Sequence, residues 1–170
     1  MSETREQIAR HVRVHPGVHF NAVVRGLDLA PGQVQYHLRR LVRGDAVVAE
    51  QLYGRTHYYP ADVDPWDRRA LALLRRETAR DVVAVLLERG PTAPAEVADA
   101  LDLARSTLEW QAARLVECGL VEKRRDARNR VTLALVRRDD VIRLLRDADP
   151  TLLGRLVDRF TRLVDVLLAE

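Results

Sequence analysis

The chain contains an internal repeat with an offset of 74 residues. When residues 20–48 are shifted forward by 74, they align with residues 94–122 without a gap. Leu27-Asp28-Leu29-Ala30 then coincides with Leu101-Asp102-Leu103-Ala104. Both copies show the pattern of a helix-turn-helix followed by a β-hairpin. Because one supersecondary unit occurs twice, the repeat predicts two domains of the same kind.

The first copy predicts three helices followed by two strands. Thr4 can cap the first helix and Asn21 the second, since both residue types are preferred at that position. Pro31 suits the first turn of a third helix, in which apolar residues recur at i, i+4 and i+7 from Val34. The helices are expected over about 4–14, 21–27 and 31–44, and the strands over about 46–51 and 57–59.

A second unit of the same order follows. Asp64-Pro65 is typical of a helix start, and Gly90-Pro91 ends a helix or a broken helix pair at about Arg89. We therefore predict a mainly α fold with small β-hairpins (α+β), made of two tandem winged helix-turn-helix domains plus C-terminal helices. Further helices are expected over 92–101, 104–118, 139–147 and from 150 onward, with strands at 120–123 and 130–136; the predicted domains are 1–62, 63–136 and 137–170.

The third helix of the first copy, residues 31–43, is the candidate recognition helix. If Val34, Leu38 and Leu41 face inward, the polar residues of this helix face outward. Glutamine can bond an adenine edge, and arginine can bond phosphates or guanine. A solvated helix face is the plainer interpretation. The candidate DNA contacts are Gly32, Gln33, Gln35, Tyr36, Arg39, Arg40 and Arg43.

The two hairpin tips are candidate basic wings. In the first, Arg55 and His57 could reach the minor groove or a phosphate. The second is more basic, because Lys123 and four arginines stand against Asp126 within residues 123–130. Such a run is often only a solvated loop, but behind a helix-turn-helix it favours nucleic-acid contact. Its candidate contacts are Arg124, Arg125, Arg128 and Arg130.

The third helix of the second copy is less suited to base contacts. Arg105, Ser106 and Thr107 could hold a phosphate at its start. Glu109 replaces a glutamine, however, and Trp110 is large for a groove face and could pack against another protein surface. DNA binding and assembly are therefore equally open for this copy.

Composition and spacing exclude several classes of function. The chain has one cysteine and lacks a glycine-rich phosphate loop, a nucleophile elbow and a metalloprotease motif. His11, His15 and His19 recur every four residues, but a proline and a glycine interrupt the helix between them. We expect no enzyme activity, no cofactor and no bound metal. Without a long apolar run, the protein is expected to be cytoplasmic and associated with the nucleoid.

The stretch Leu29 to Leu41 and the opening Ala104-Arg105-Ser106-Thr107-Leu108 resemble archaeal tandem winged helix-turn-helix transcriptional regulators, related to the MarR and ArsR group. The resemblance covers about 120 of the 170 residues and implies a dimeric DNA-binding repressor or activator. Two features depart from it, since the metal-sensing cysteines of many ArsR-like proteins are absent and Glu109-Trp110 interrupts the second recognition surface.

The leading hypothesis is a sequence-specific regulator that binds double-stranded DNA as a homodimer, with an unknown small-molecule effector if any. Two alternatives are an assembly module, as in chromosome-organising complexes, and an RNA-binding protein, which the lack of an aromatic stacking platform disfavours.

The C-terminal residues could pair with a second chain or pack on their own second domain. Their apolar residues form a broad stripe that favours pairing. The candidate dimerisation residues are Leu153, Leu156, Val157, Phe160, Leu163, Val164 and Leu167.

Overall fold

The computed structural model describes residues 2–152 and 154 and divides the chain into two compact units, Met1–Arg75 and Arg76–Glu170. Helices predominate in both units, and each unit holds one small antiparallel sheet. The predicted α+β fold class is confirmed. Among the described residues, no helix combines the length and apolar character needed to span a membrane.

The first unit contains four helices and a three-stranded sheet. In the sheet, β3 lies between β1 and β2 and is antiparallel to both. The two-residue strand β1 was missed in the sequence because it is too short to show an alternating pattern. The elements are α1 (Glu3–Val14), β1 (Val18–His19), α2 (Phe20–Leu27), α3 (Pro31–Arg43), β2 (Val47–Leu52), β3 (Arg55–Pro60) and α4 (Pro65–Leu74).

The core of the first unit forms where α1, α2 and α3 meet. Its central side chains recur at helical spacing on each element, which is why the three helices pack together. The inward residues Val34, Leu38 and Leu41 of α3 are all buried, as the sequence predicted. Ile8, Val12 and Val23 supply the facing side chains from α1 and α2 and are fully buried.

The turn between α2 and α3 depends on one left-handed residue. Asp28 has φ 52°, a conformation that aspartate tolerates better than most residues. The Leu29 N–H then donates to the Val24 carbonyl over 3.3 Å, and α3 starts two residues later at Pro31. This turn lets α3 leave α2 in a new direction while its apolar stripe stays against the core.

The caps of α1 and α2 differ from those predicted. The α1 helix starts at Glu3 after Ser2, which makes no side-chain cap bond, so Thr4 is not the cap. At α2 the His19 Nδ1 accepts from the Ala22 N–H over 3.3 Å, so His19 and not Asn21 caps the helix. The sequence argument failed because β1 brings the chain into α2 two residues earlier than expected.

The helix α4 lies in the first unit, whereas the sequence predicted a boundary after Asp62. Asp64 caps α4 as expected, by accepting from the Trp66 and Asp67 N–H groups. The Tyr59 hydroxyl donates to the Arg68 carbonyl over 2.7 Å, and Arg75 Nε donates to the Pro16 carbonyl over 2.8 Å. These bonds join α4 to the first sheet and to the loop before it, so the unit ends at Arg75.

The second unit repeats the helix-turn-helix and hairpin of the first. A bridge between Thr92 and Leu133 stands where β1 pairs with β3 in the first unit. The elements are α5 (Glu77–Arg89), α6 (Pro94–Ala100), α7 (Arg105–Cys118), β4 (Val121–Arg125), β5 (Val131–Leu135) and α8 (Arg138–Ala148).

The 74-residue offset is visible in individual backbone bonds. Asp102 has φ 52°, the same value as Asp28, and the Leu103 N–H donates to the Ala98 carbonyl over 2.9 Å. The helices α1 and α5 start at residues 3 and 77, so the repeat extends to the first helix. In the last strand the offset becomes 75, because Val47 pairs with Pro60 and Val121 with Leu135. The second hairpin therefore has one additional residue at its tip.

The predicted C-terminal stripe lies outside the described residues. This applies to all seven candidate dimerisation residues, Leu153, Leu156, Val157, Phe160, Leu163, Val164 and Leu167.

We expect Gly17→Ala to lower the free energy of unfolding by about 1 to 3 kcal/mol, because a side chain at positive φ is strained. Gly17 has φ 83°, and an added Cβ would lie 3.1 Å from Tyr59 Cε1. Gly32→Ala is the matched control. Its Cβ would meet no atom within 4 Å and alanine favours a helix, so it should be neutral or slightly stabilising. Urea denaturation followed by circular dichroism measures both, and equal effects would contradict the account.

Candidate nucleic-acid interface

A groove in the first unit collects arginines from three elements. It has a volume of about 900 Å³ and lies between α2, α3 and the β2–β3 hairpin. Arg25 comes from α2, Arg39 and Arg43 from α3, and Arg55 from β3. No acidic side chain is among the described residues that line it. The others are His19, Phe20, Asn21, Gln35, Leu38, Val42, Ala49, Thr56 and Tyr58.

The positive charge of this groove acts on its titratable side chains. Burial lowers the pKa of His19, and the charges of Arg55, His57, Arg25 and Arg75 lower it further. Burial raises the pKa of Tyr58, and the nearby Arg39 opposes that rise. A proton is disfavoured in this groove, whereas an anion would be favoured for the same reason.

The outward residues of α3 are exposed next to the groove. Tyr36 is 54% exposed, and Arg40 Nη1 donates to its hydroxyl over 3.1 Å while the guanidinium carbon lies 5.7 Å from the ring centroid. Arg40 thereby restrains the phenol, so these two residues present one combined surface. The exposed residues of this face are Gly32, Gln33, Gln35, Tyr36, Arg39, Arg40 and Arg43, which are the seven predicted from the sequence.

His57 is not available for a DNA contact, and that prediction is corrected. The side chain is 2% exposed, and its Nδ1 donates to the Gly17 carbonyl over 2.7 Å. It joins β3 to the turn after α1 and has a structural role. Strand alternation explains the difference, since the exposed Arg55 and the buried His57 lie on either side of the exposed Thr56 near the hairpin tip.

Arg25 was missed in the sequence. The burial of Val23 on α2 is consistent with an outward Arg25, but many surface arginines satisfy that criterion. Whether an outward residue of α2 reaches the groove depends on how α2 meets α3 through the Asp28 turn. Helical periodicity alone does not contain that information.

The second wing is ordered by internal bonds. Arg124 pairs with Glu122, and Arg130 Nε lies 2.7 Å from Asp126 Oδ2. Asp126 also accepts from the backbone of Arg128 and Arg130, both at 2.9 Å, and these bonds, led by that of the Arg130 N–H, hold its pKa below the usual value. The charges of Arg124 and Arg130 are therefore partly compensated within the wing.

The remaining cations of this wing are less constrained. Arg125 Nη1 donates to the side chain of Asn129 over 3.1 Å, which leaves its charge uncompensated. Lys123 and Arg128 are exposed, and within the described residues neither forms an ion pair. Lys123, Arg125 and Arg128 are thus the cations of the wing best placed to meet an anion.

The helix α7 presents two different surfaces. Arg105, Ser106 and Thr107 are exposed in its first turn, as predicted. Further along, Trp110 is 49% exposed, and the Arg114 guanidinium carbon lies 3.6 Å from the centroid of its ring. Trp110 is thus only half-buried.

Comparison with known proteins identifies the first unit. Residues 2–71 match the family model described as the HVO_0163 N-terminal HTH domain. The first unit is a helix-turn-helix domain of this family. The chain is also 27% identical over 131 residues to the uncharacterized HTH-type transcriptional regulator MJ1398 of Methanocaldococcus jannaschii, covering 77% of this chain and 33% of that protein. The chain therefore spans about one third of the length of this relative.

These matches confirm the resemblance to winged helix-turn-helix transcriptional regulators and the prediction of a regulator rather than an enzyme. Solved structures show weaker similarity. RV1404 from Mycobacterium tuberculosis has a TM-score of 0.41 at 23% identity, covering 61% of this chain and 79% of its own. A MarR family protein from Bacillus stearothermophilus also has a TM-score of 0.41, at 18% identity, covering 83% and 97%. No functional conclusion rests on scores this low.

We expect the first unit to lose stability as the pH falls from about 7.5 to about 5. The pKa values of His11, His15 and His19 are each lowered from 6.5, in every case chiefly by burial. The unfolded chain therefore binds protons more readily, so this stability is present above the ordinary histidine pKa and is lost as the pH falls through the lowered values.

Urea denaturation followed by Trp66 fluorescence in a Trp110→Phe background measures this dependence. Replacing His11 and His15 with glutamine should flatten the curve between these pH values. A wild-type stability that is constant or rises on acidification would contradict the assignment.

Proposed function

We propose that the protein is a sequence-specific transcriptional regulator that binds double-stranded DNA through its first unit. The observation that carries this proposal is the groove between α3 and the first hairpin, with four arginines and no acid among its lining residues. A polyanion is the partner that such a groove favours, since each neutralised phosphate releases condensed counterions.

The exposed face of α3 would enter the major groove. Gln33 and Gln35 carry amides that can bond an adenine edge bidentately. Arg39 and Arg43, one and two turns after Gln35, would meet the phosphates together with Arg25 and Arg55. The Tyr36–Arg40 pair would contact a phosphate or a thymine methyl group. In this arrangement the glutamines specify the sequence and the arginines position the helix.

The second unit would contribute through its wing. Lys123, Arg125 and Arg128 would hold the phosphate backbone or the minor groove, whereas Arg124 and Arg130 maintain the shape of the hairpin. Arg105, Ser106 and Thr107 would bind a phosphate at the start of α7.

We further propose that the regulator acts as a cytoplasmic, nucleoid-associated homodimer, with the C-terminal residues joining the two chains. A two-fold dimer requires an operator with two inverted half-sites. A second candidate function, protein assembly, is supported for the second unit alone by the exposed Trp110.

Replacing Arg25, Arg39 and Arg43 with alanine should weaken binding to all DNA sequences and reduce the slope of log K against log salt by about 3, because three phosphate contacts are lost. Arg69→Ala is a matched control, since Arg69 is exposed on α4 and does not line the groove. Fluorescence anisotropy over a range of salt concentrations measures the slope. If the triple variant and the control have equal slopes, the groove is not the phosphate site.

Replacing Gln33 and Gln35 with alanine should relax sequence preference, by about 1 to 3 kcal/mol of discrimination for each lost bidentate contact. Selection of bound fragments from random DNA, followed by titration of the selected and a scrambled site, measures this loss. The affinity for the scrambled site should change little. An unchanged selected motif would show that α3 does not read bases.

A further inference from the structure

The repeat allows the two recognition-position helices to be compared residue by residue. The matching φ values of Asp28 and Asp102, and the bonds that follow each of them, establish that α2 corresponds to α6 and α3 to α7 at the 74-residue offset. In the first unit the outward positions hold Arg25, Gln35, Arg39 and Arg43; in the second they hold Asp99, Glu109, Ala113 and Glu117.

These replacements give the second unit a different surface. We define the α7 face as Glu109, Trp110, Ala113, Val116 and Glu117. All five side chains are exposed, although Trp110 and Val116 are large hydrophobic residues with exposures of 49% and 36%. The apolar residues recur every three positions, and the two glutamates lie beside them. Asp99 on α6 is also exposed.

This surface does not suit a phosphate backbone. The three carboxylates would repel it, and the cations of the same helix are Arg105, at the opposite end from Glu117, and Arg114, which packs over the Trp110 ring. An apolar stripe beside acidic side chains instead suits a helix that carries an apolar stripe beside basic ones.

The chain itself contains such a sequence. Residues 153–170 lie outside the described part, and their sequence places Arg155, Arg159 and Arg162 at intervals of four and three. Leu156, Phe160 and Leu163 follow at the same intervals, one position later. On a helix these would form adjacent basic and apolar stripes. Such a helix would be about 27 Å long, enough to cover α7, whose length is about 21 Å.

We propose that the α7 face binds residues 153–170 of a second copy of this chain. Arg155, Arg159 and Arg162 would meet Asp99, Glu109 and Glu117, while Leu156, Phe160 and Leu163 would cover Trp110 and Val116. The exchange is reciprocal, so one dimer buries two identical contacts. This inference rests on the proposed homodimer and is independent of DNA binding.

Two full-length charge-reversal variants test the contact. The first carries Glu109→Arg and Glu117→Arg, and the second carries Arg155→Glu, Arg159→Glu and Arg162→Glu. Analytical ultracentrifugation should find a wild-type dimer and a dimer Kd raised at least about tenfold in each variant alone. An equimolar mixture should restore dimerisation, because both contacts of the mixed dimer again join opposite charges. A Glu77→Arg, Asp139→Arg variant is the control, with two exposed acids outside the α7 face, and should dimerise as the wild type does.

The mixture separates the possible outcomes. If both variants lose dimerisation and the mixture does not recover it, the contact between second copies is wrong and an intramolecular one replaces it. If the first variant dimerises like the wild type, the α7 face is not the interface. A monomeric wild type would overturn the proposal together with the homodimer, without affecting the proposed DNA binding.

A second readout excludes misfolding as the cause. In a Trp66→Phe background, Trp110 is the one remaining tryptophan, and iodide should quench it more strongly in the first variant than in the parent. Unchanged quenching, with an unchanged circular dichroism spectrum, would contradict the contact.

Discussion

The left-handed turn at Asp28 determines how α3 is presented. With φ 52° at this residue and the Leu29 N–H bonded to the Val24 carbonyl, α2 ends and α3 begins within three residues. The buried stripe of α3 then packs against α1 and α2, which directs Gln35 and Arg39 outward. The arginine groove exists because this turn brings Arg25 of α2 close to Arg39 and Arg43 of α3.

The second unit preserves the turn while its surface differs. Asp102 and the Leu103 N–H reproduce the backbone of the first copy, and the apolar positions on α7 remain buried. Outward positions carry no packing constraint, so their charge can change without loss of the fold. One scaffold can therefore support a groove suited to DNA in one copy and a surface suited to protein in the other.

Much of the fold could be predicted from the sequence, because helical periodicity and turn residues are local signals. The inward stripe of α3 and the cap at Asp64 follow from a few neighbouring residues. The strand β1, the His19 cap and the unit boundary after Arg75 depend instead on contacts between distant segments, such as Arg75 with Pro16. These contacts leave no periodic pattern in the sequence.

The candidate site divides in the same way. The exposed face of α3 was predictable from one helix, whereas Arg25 required the arrangement of two helices. His57 was misassigned because a hairpin-tip histidine was taken to be exposed, although the pleat of β3 directs it inward. The distinction between compensated and free cations in the second wing required the ion pairs of Arg124 and Arg130.

The central claim is that the first unit contacts DNA with α3, while the second does not do so with the corresponding face of α7. Tyr36 and Trp110 occupy equivalent positions in the repeat, and both are about half exposed. A photo-crosslinking phenylalanine analogue placed at one or the other position, in the full chain with selected double-stranded DNA, tests the claim most directly. We expect DNA adducts from position 36 and essentially none from position 110. Adducts of equal yield at both positions, or at position 110 alone, would contradict it.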